Sequence, residues 1–191
     1  MPKPKGNTRR LRPIVVHLGN IGEYRKGERP AEKTRRYARR FPGIQFIGID
    51  LNRFEGRQRR NWRQLQDNYR KQLKRYSPES ISLISSDMSL GHTFEFLLGP
   101  RATHREIFQT IYEKLKPGGK FLMTVGETQL EGKPNVVMMY LLACEIFGER
   151  NVEIKKVPPG KSWTHWMKRW EKEDKTPVYV ITAMKERRKK K

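Results

Sequence analysis

The sequence is poor in cysteine and histidine, with one cysteine, Cys144, and four histidines in 191 residues. A single cysteine excludes a disulfide framework and a cysteine-based zinc site. The histidines show no ligand spacing, so we expect no bound metal. Cys144 lies inside the apolar run VVMMYLLACEIF, which favours a buried structural thiol over a reactive one.

Long apolar runs are missing as well. The run around Cys144 has 12 residues and contains Glu145, which makes it too short to cross a bilayer. The N-terminal stretch MPKPKGNTRRLRP is basic but has no apolar segment behind it, unlike a secretory signal. We therefore expect a cytoplasmic location and no membrane partner.

Acidic residues are scarce relative to basic ones, with 20 Asp and Glu against 42 Lys and Arg, a net charge of +22. Residues 1–76 alone carry a net +16. Such a field attracts a polyanion, which is most often nucleic acid; an acidic membrane or protein partner is the alternative. A solvated thermophile surface normally brings a matching number of acids. The candidate nucleic-acid-binding residues are Arg9, Arg10, Arg12, Arg35, Arg36, Arg39, Arg40, Arg57, Arg59 and Arg60.

Between a basic arm (1–12) and a basic tail (186–191), strand-like and helix-like segments alternate through one predicted domain, 13–185. This alternation predicts an α/β fold with a mostly parallel sheet of about seven strands and helices on both faces. The last two strands are expected to form an antiparallel edge. The predicted strands are 14–18, 44–50, 61–66, 80–87, 120–125, 152–157 and 178–185, and the predicted helices are 31–41, 68–76, 103–116, 136–148 and 162–173.

Two consecutive stretches, PESISLISSDMSLGH (78–92) and THREIFQTIYEKLKPGGKFLMTV (103–125), give the chain a family resemblance. Together with FIGIDLN (46–52), they resemble the class I S-adenosylmethionine-dependent methyltransferases, which have a Rossmann-like fold. In that family a strand ending in the catalytic loop is followed by a helix and an L-x-P-G-G turn into the fifth strand. The resemblance covers roughly residues 13–185 and implies S-adenosylmethionine as cofactor.

The resemblance also implies roles for residues at the ends of the strands. Asp50 would bind the cofactor ribose, with a helix N-cap as the alternative. Asp67 would accept a hydrogen bond from the adenine amino group; the alternative is that it caps the predicted helix 68–76. Gly19 and Gly22 would let the backbone approach the methionine moiety, or else form a plain tight turn.

The glycine motif departs from the family pattern. It reads HLGNIGE, without the usual first acid and with Ile21 in place of the middle glycine. Glu23, one turn later, is a candidate for the missing carboxylate. The full set of expected cofactor-binding residues is His17, Gly19, Asn20, Gly22, Glu23, Asp50, Leu51, Asp67 and Ser86.

Asp87 and His92 are the candidate catalytic bases, with loop-capping and surface-loop roles as alternatives. The Ser-Asp-Met at 86–88 is similar to that of ribose 2′-O-methyltransferases, but Thr124 stands where those enzymes use a lysine. We therefore expect a methyltransferase acting on rRNA or tRNA. The alternatives are an inactive RNA- or ribosome-binding protein of the same fold, and a methyltransferase for a small molecule or a protein.

The segment KSWTHWMKRW (161–170) carries a second aromatic pattern. Trp163, Trp166 and Trp170 fall on one face of a helix, with His165 among them. Packing against the sheet is one interpretation, and stacking with unpaired bases is the other.

Overall fold

The computed structural model describes residues 12–19, 32–51, 57–87, 101–127, 129–130, 133–158 and 177–187. Its strands are β1 (Ile14–Leu18), β2 (Gln45–Asp50), β3 (Trp62–Gln66), β4 (Ile81–Asp87), β5 (Leu115–Gly126), β6 (Gln129–Leu130), β7 (Lys133–Pro134), β8 (Val152–Lys156) and β9 (Val178–Met184). Its helices are α1 (Glu32–Arg40), α2 (Tyr69–Lys74), α3 (Arg101–Lys114), α4 (Asn135–Phe147) and a 3₁₀ turn (Glu149–Asn151). Residues 1–11 of the predicted arm and 188–191 of the predicted tail lie outside the described residues. So do residues 159–176, which contain the tryptophan segment 161–170 and the predicted helix 162–173.

Seven of these strands form one sheet in the order β3-β2-β1-β4-β5-β9-β8, and β6 and β7 form a separate hairpin. Strands β1 to β5 pair in parallel. Strand β9 runs antiparallel to both β5 and β8. The predicted α/β class, the mostly parallel sheet of about seven strands and the antiparallel element at its end are confirmed, with β8 as the outermost strand.

The helices cover both faces of the sheet, as predicted. Helices α2, α3 and α4 pack on one face into the main core, where Phe121 lies between Phe108 and Phe147 at ring-centroid distances of 5.3 and 6.3 Å. Helix α1 packs on the other face, where Ala38 contacts Phe46 and Trp62 in a smaller cluster. Cys144 is half-buried, rather than buried as its apolar run suggested. No described helix is long and apolar enough to cross a membrane.

The start of β5 differs from the prediction. The L-x-P-G-G segment was expected to be a turn before a strand at 120–125, but the strand begins at Leu115, directly after α3. Leu115 pairs with Ile81, and the register then shifts so that Lys120 pairs with Leu83. The extra residues bulge out of the ladder and are held by hydrogen bonds to Lys185, at the end of β9.

Replacing Gly119 with alanine is expected to lower the free energy of unfolding by about 1–3 kcal/mol, because overpacking displaces backbone. A Cβ atom at Gly119 would lie 2.7 Å from the Lys116 carbonyl oxygen and 3.2 Å from that of Ile81. Gly43→Ala is the matched control, since nothing lies within 4 Å of a Cβ atom there. Urea denaturation of both variants measures the difference, and equal midpoints would contradict the bulge geometry.

Candidate functional site at the carboxyl edge of the sheet

The carboxyl ends of β1, β2 and β3 are joined by backbone hydrogen bonds. The Gly19 amide donates to the Ile49 carbonyl at 2.9 Å, and the Asp67 amide donates to the Asp50 carbonyl at 2.9 Å. Gly19, Asp50 and Asp67 therefore stand side by side at this carboxyl edge. In open α/β sheets this is the edge beyond which ligands bind.

The backbone at Gly19 requires glycine. Its φ angle is +69°, in the left-handed region that side chains with a Cβ atom rarely adopt. Gly19 therefore places backbone without a side chain directly after β1 at this edge.

Asp50 is the last residue of β2, and only 5% of its surface is exposed. Its neighbour Leu51 is 44% exposed, and the Leu51 carbonyl accepts a hydrogen bond from Gln66 Nε2 at 3.3 Å. This bond ties the beginning of the loop after β2 to the end of β3. An acidic side chain is thus held at the tip of a buried strand by a fixed backbone.

Asp67 is bound to the helix that follows it. Its carboxylate accepts from Gln72 Nε2 at 2.7 Å and from the Asn68 amide at 2.7 Å. These bonds, the Gln72 bond first, hold the pKa of the carboxyl below its ordinary value of 3.8. The N-cap of α2 is Asn68, which accepts from the Arg70 amide. Asp67 therefore stays ionised at neutral pH, and its two oxygens have acceptor capacity beyond these two bonds.

His17 points to the face of the sheet that carries α1. Its Nδ1 lies 2.7 Å from Ser85 Oγ, and the two residues are paired in register on β1 and β4. Both border a cavity of about 320 Å³ between α1 and the sheet. We call this the α1 cavity, and its walls include Tyr37, Phe41, Leu83 and Leu122.

Of the remaining predicted site residues, some lie near the carboxyl edge of the sheet and others lie in segments that the structure does not describe. Ser86 is buried near the end of β4, and the Asp87 backbone ends β4 beside Thr124. The Asp87 side chain and residues Asn20, Gly22, Glu23 and His92 lie outside the described part of the chain. Among the described residues, no group of three or more acids, histidines or cysteines is arranged to hold a metal ion.

Four arginines line a second concavity, of about 400 Å³, beside β3. We call this the arginine cradle, and its cations are Arg35 of α1 and Arg57, Arg59 and Arg60 of the segment before β3. The cradle is fixed by Asn61, whose Nδ2 donates to the Ala38 carbonyl at 2.8 Å. Trp62 Nε1 donates to Thr34 Oγ1 at 3.0 Å, and the Arg35 guanidinium lies over the Trp62 ring.

The other predicted nucleic-acid contacts are more dispersed. Arg36, Arg39 and Arg40 are exposed on α1, and Arg12 is exposed before β1, while Arg9 and Arg10 lie outside the described residues. Described ion pairs include Arg70–Glu106, Arg75–Asp67, Arg105–Glu145 and Arg150–Glu186. The cradle differs from these pairs in that it brings four cations to one concavity, and like charges held close together are stabilised by an anion.

Comparison with known proteins gives no match by sequence, either to a family model or to a curated protein. Solved structures do match. A probable spermidine synthase from Corynebacterium glutamicum aligns with a TM-score of 0.58 at 15% identity, over 90% of this chain and 56% of that one. A phosphoethanolamine N-methyltransferase 2 from Haemonchus contortus, solved with S-adenosyl-L-methionine, gives 0.55 at 17% over 92% and 49%.

A third match is a 16S rRNA (adenine(1408)-N(1))-methyltransferase from Catenulisporales acidiphilia, solved with its cosubstrate. It aligns with a TM-score of 0.57 at 13% identity, over 94% of this chain and 88% of that one. The chain has the class I methyltransferase fold. It spans only about half the length of the synthase and of the nematode enzyme.

Ser85, Tyr37 and Asn61 shape the α1 cavity and the cradle, but they were not among the predicted site residues. A signal for Ser85 was present, because His17 and Ser85 are polar residues inside strands that are otherwise apolar. Tyr37 occurs three residues after Thr34 on the same helix face. Nothing in the sequence marks Asn61 as the residue that anchors the cradle.

Proposed function

We propose that this protein is an S-adenosylmethionine-dependent methyltransferase that acts on RNA, either rRNA or tRNA. The observation that carries the proposal is the convergence of Gly19, Asp50 and Asp67 at the carboxyl edge of a sheet with the methyltransferase fold. Fold alone does not assign an activity. The side chains at this edge are the chemical argument for one.

The residues at the edge fit the cofactor that the fold implies. The Asp50 carboxylate suits the two hydroxyls of a ribose, because an ionised acid accepts two strong hydrogen bonds. The turn at Gly19 suits close approach of the methionine moiety, and the remaining lone pairs of Asp67 suit an adenine amino group. S-adenosylmethionine supplies an electrophilic methyl group. Asp87 and His92 remain the candidates for the base that takes the proton from the acceptor.

The RNA part of the proposal is supported by charge. Residues 1–76 carry a net +16, and three of the four cradle arginines belong to one short segment before β3. A guanidinium group can donate two parallel hydrogen bonds to the oxygens of one phosphate. A cluster of guanidinium groups therefore suits a polyanionic backbone better than a small neutral substrate. A methyltransferase for a small molecule would leave this charge without a role.

The wild-type protein is expected to gain thermal stability from S-adenosylhomocysteine, because a ligand that binds only the native state stabilises it. At a concentration of about one hundred times Kd, the gain is about 2.7 kcal/mol, which raises Tm by roughly 5–10 °C. Differential scanning fluorimetry and isothermal titration measure it. A Tm that is unchanged at millimolar S-adenosylhomocysteine would refute the proposed methyltransferase activity.

One observation favours the second candidate, an RNA- or ribosome-binding protein of this fold without catalysis. His17 stands where the family motif begins with an acid, and its ring is engaged with Ser85. Under this alternative, RNA binding persists while S-adenosylhomocysteine leaves Tm unchanged. The two measurements together separate the candidates.

A further inference from the structure

The α1 cavity lies below the carboxyl edge that carries Gly19, Asp50 and Asp67, and none of these three residues lines it. Its volume of about 320 Å³ is at the lower end of the range for small-ligand pockets. That size suits a ligand part of one or two rings. Its polar end, at His17 and Ser85, lies one or two residues below the carboxyl edge on β1 and β4.

Among the described helices, α1 is the one on this face of the sheet, and it covers only part of that face. Ala38 of α1 packs on β2 and β3, against Phe46 and Trp62. The other described helices contribute to the main core on the opposite face. Tyr37 and Phe41 therefore border the cavity beside residues of β1, β4 and β5.

The walls of the cavity suit a flat ring. Tyr37 is 44% exposed and Phe41 is 41% exposed, so both present ring surface to a ligand that enters from solvent. Leu83 and Leu122 provide an apolar floor on adjacent strands. Aromatic side chains at the border of a pocket stack with any base, because every base has a π face.

The polar end of the cavity suits the edge of a heteroaromatic ring. His17 and Ser85 form a side-chain pair at 2.7 Å, and each of these groups can donate or accept a hydrogen bond. Thr124, on β5, adds a third polar side chain at this end. No lysine, arginine, aspartate or glutamate is among the described residues that line the cavity. The described lining therefore suits a neutral ring better than a phosphate.

The cradle supplies that counter-charge on the other flank of the same helix. Arg35 and Tyr37 are two residues apart on α1, which places their side chains about 200° apart around the axis. A helix about 10 Å thick thus separates a neutral ring cavity from a cationic concavity. An unpaired nucleotide offers the matching pair of groups, a neutral base and a phosphate backbone.

We propose that the α1 cavity binds an unpaired base of the RNA substrate. The base stacks on Tyr37 and Phe41, and its polar edge hydrogen-bonds to His17 and Ser85. The arginine cradle holds neighbouring phosphates across α1. This inference rests on the RNA part of the proposed function and is independent of whether the cofactor binds.

The test uses two short oligoribonucleotide analogues of equal length and charge. One is abasic throughout, and the other carries a single central 2-aminopurine, whose fluorescence reports its environment. Wild-type protein is expected to bind the base-containing analogue about tenfold more tightly, with a change in emission. Tyr37→Ala and Ser85→Ala are each expected to reduce that preference to less than threefold without changing the affinity for the abasic analogue.

Leu141→Ala is the matched control, because Leu141 is a 59% exposed apolar residue on α4, a helix of the opposite face. It should keep the full preference. Both test variants are expected to fold, since Tyr37 is half-exposed and Ser85→Ala removes one oxygen atom. Equal wild-type affinity for the two analogues would overturn the base pocket while leaving RNA binding intact. A preference for the base-containing analogue that persists in both Tyr37→Ala and Ser85→Ala would also overturn the base pocket. If the wild-type protein bound neither analogue, the RNA part of the proposed function would be overturned as well.

Discussion

Replacing Asp50 with asparagine is expected to weaken S-adenosylhomocysteine binding by about a hundredfold. The carboxylate stands at the tip of β2 with 5% of its surface exposed, where its interactions are little screened by water. A hydrogen bond to a charged group contributes about 1.5–3 kcal/mol, and a ribose diol makes two of them. The amide keeps the size of the side chain but has one acceptor oxygen. A loss of about 3 kcal/mol corresponds to roughly two orders of magnitude in Kd.

Isothermal titration of the full chain measures this loss. Glu153→Gln is the control, because it also removes one negative charge but does so on exposed β8, at the opposite edge of the sheet. The Tm of both variants without ligand shows whether the fold is intact. An Asp50→Asn protein that is folded and binds with wild-type affinity would remove Asp50 from the cofactor site.

Much of the fold follows from local pattern. Strands β1, β2 and β4 were predicted within one residue, because runs such as Ile14–Leu18 are apolar on both faces and end at turn residues. The positions of Gly19, Asp50 and Asp67 at one edge also followed, since parallel strands bring their carboxyl ends together. These features depend on neighbours in the sequence or on the direction of the strands alone.

The features that were missed depend on register and on long-range contacts. His17 meets Ser85 only because β1 and β4 pair with those two residues opposite each other, 68 positions apart in the chain. The bulge before Lys120 arises because Leu115 already pairs with Ile81, a contact that the L-x-P-G-G pattern does not specify. Neither sequence segment contains this information by itself.

The sequence predicted the net positive charge of the protein but not where its basic side chains lie on the surface. Charge counting treats Arg36 and Arg59 alike, yet the structure places only Arg59 in a concavity with other guanidinium groups. The difference comes from Asn61, whose amide reaches the Ala38 carbonyl and fixes the segment before β3 against α1. Hydrogen bonds from one side chain therefore hold a charged stretch against α1, where its guanidinium groups line a concavity.

Neutralising three cradle arginines is expected to lower RNA affinity by about a hundredfold at 0.1 M salt. The variant is Arg57→Gln/Arg59→Gln/Arg60→Gln, which leaves Arg35 on the Trp62 ring. Each phosphate contact with single-stranded nucleic acid contributes about −0.7 to the slope of log K against log salt. Losing three contacts therefore makes the slope less negative by about 2, and over the tenfold range from 1 M to 0.1 M this is two orders of magnitude in affinity.

The control variant has the same net charge as the cradle variant, but its three neutralised residues lie far from the cradle. Arg150→Gln/Lys155→Gln/Lys156→Gln alters three exposed cations around β8, at the far end of the sheet from β3. At 0.1 M salt, charges more than about 10 Å from the RNA are largely screened. This control should therefore lose only a few-fold in affinity and keep the wild-type slope. Both variants lower the net charge of +22 by the same amount. If both lost the same RNA affinity, binding would depend on total charge and the cradle would have no specific role.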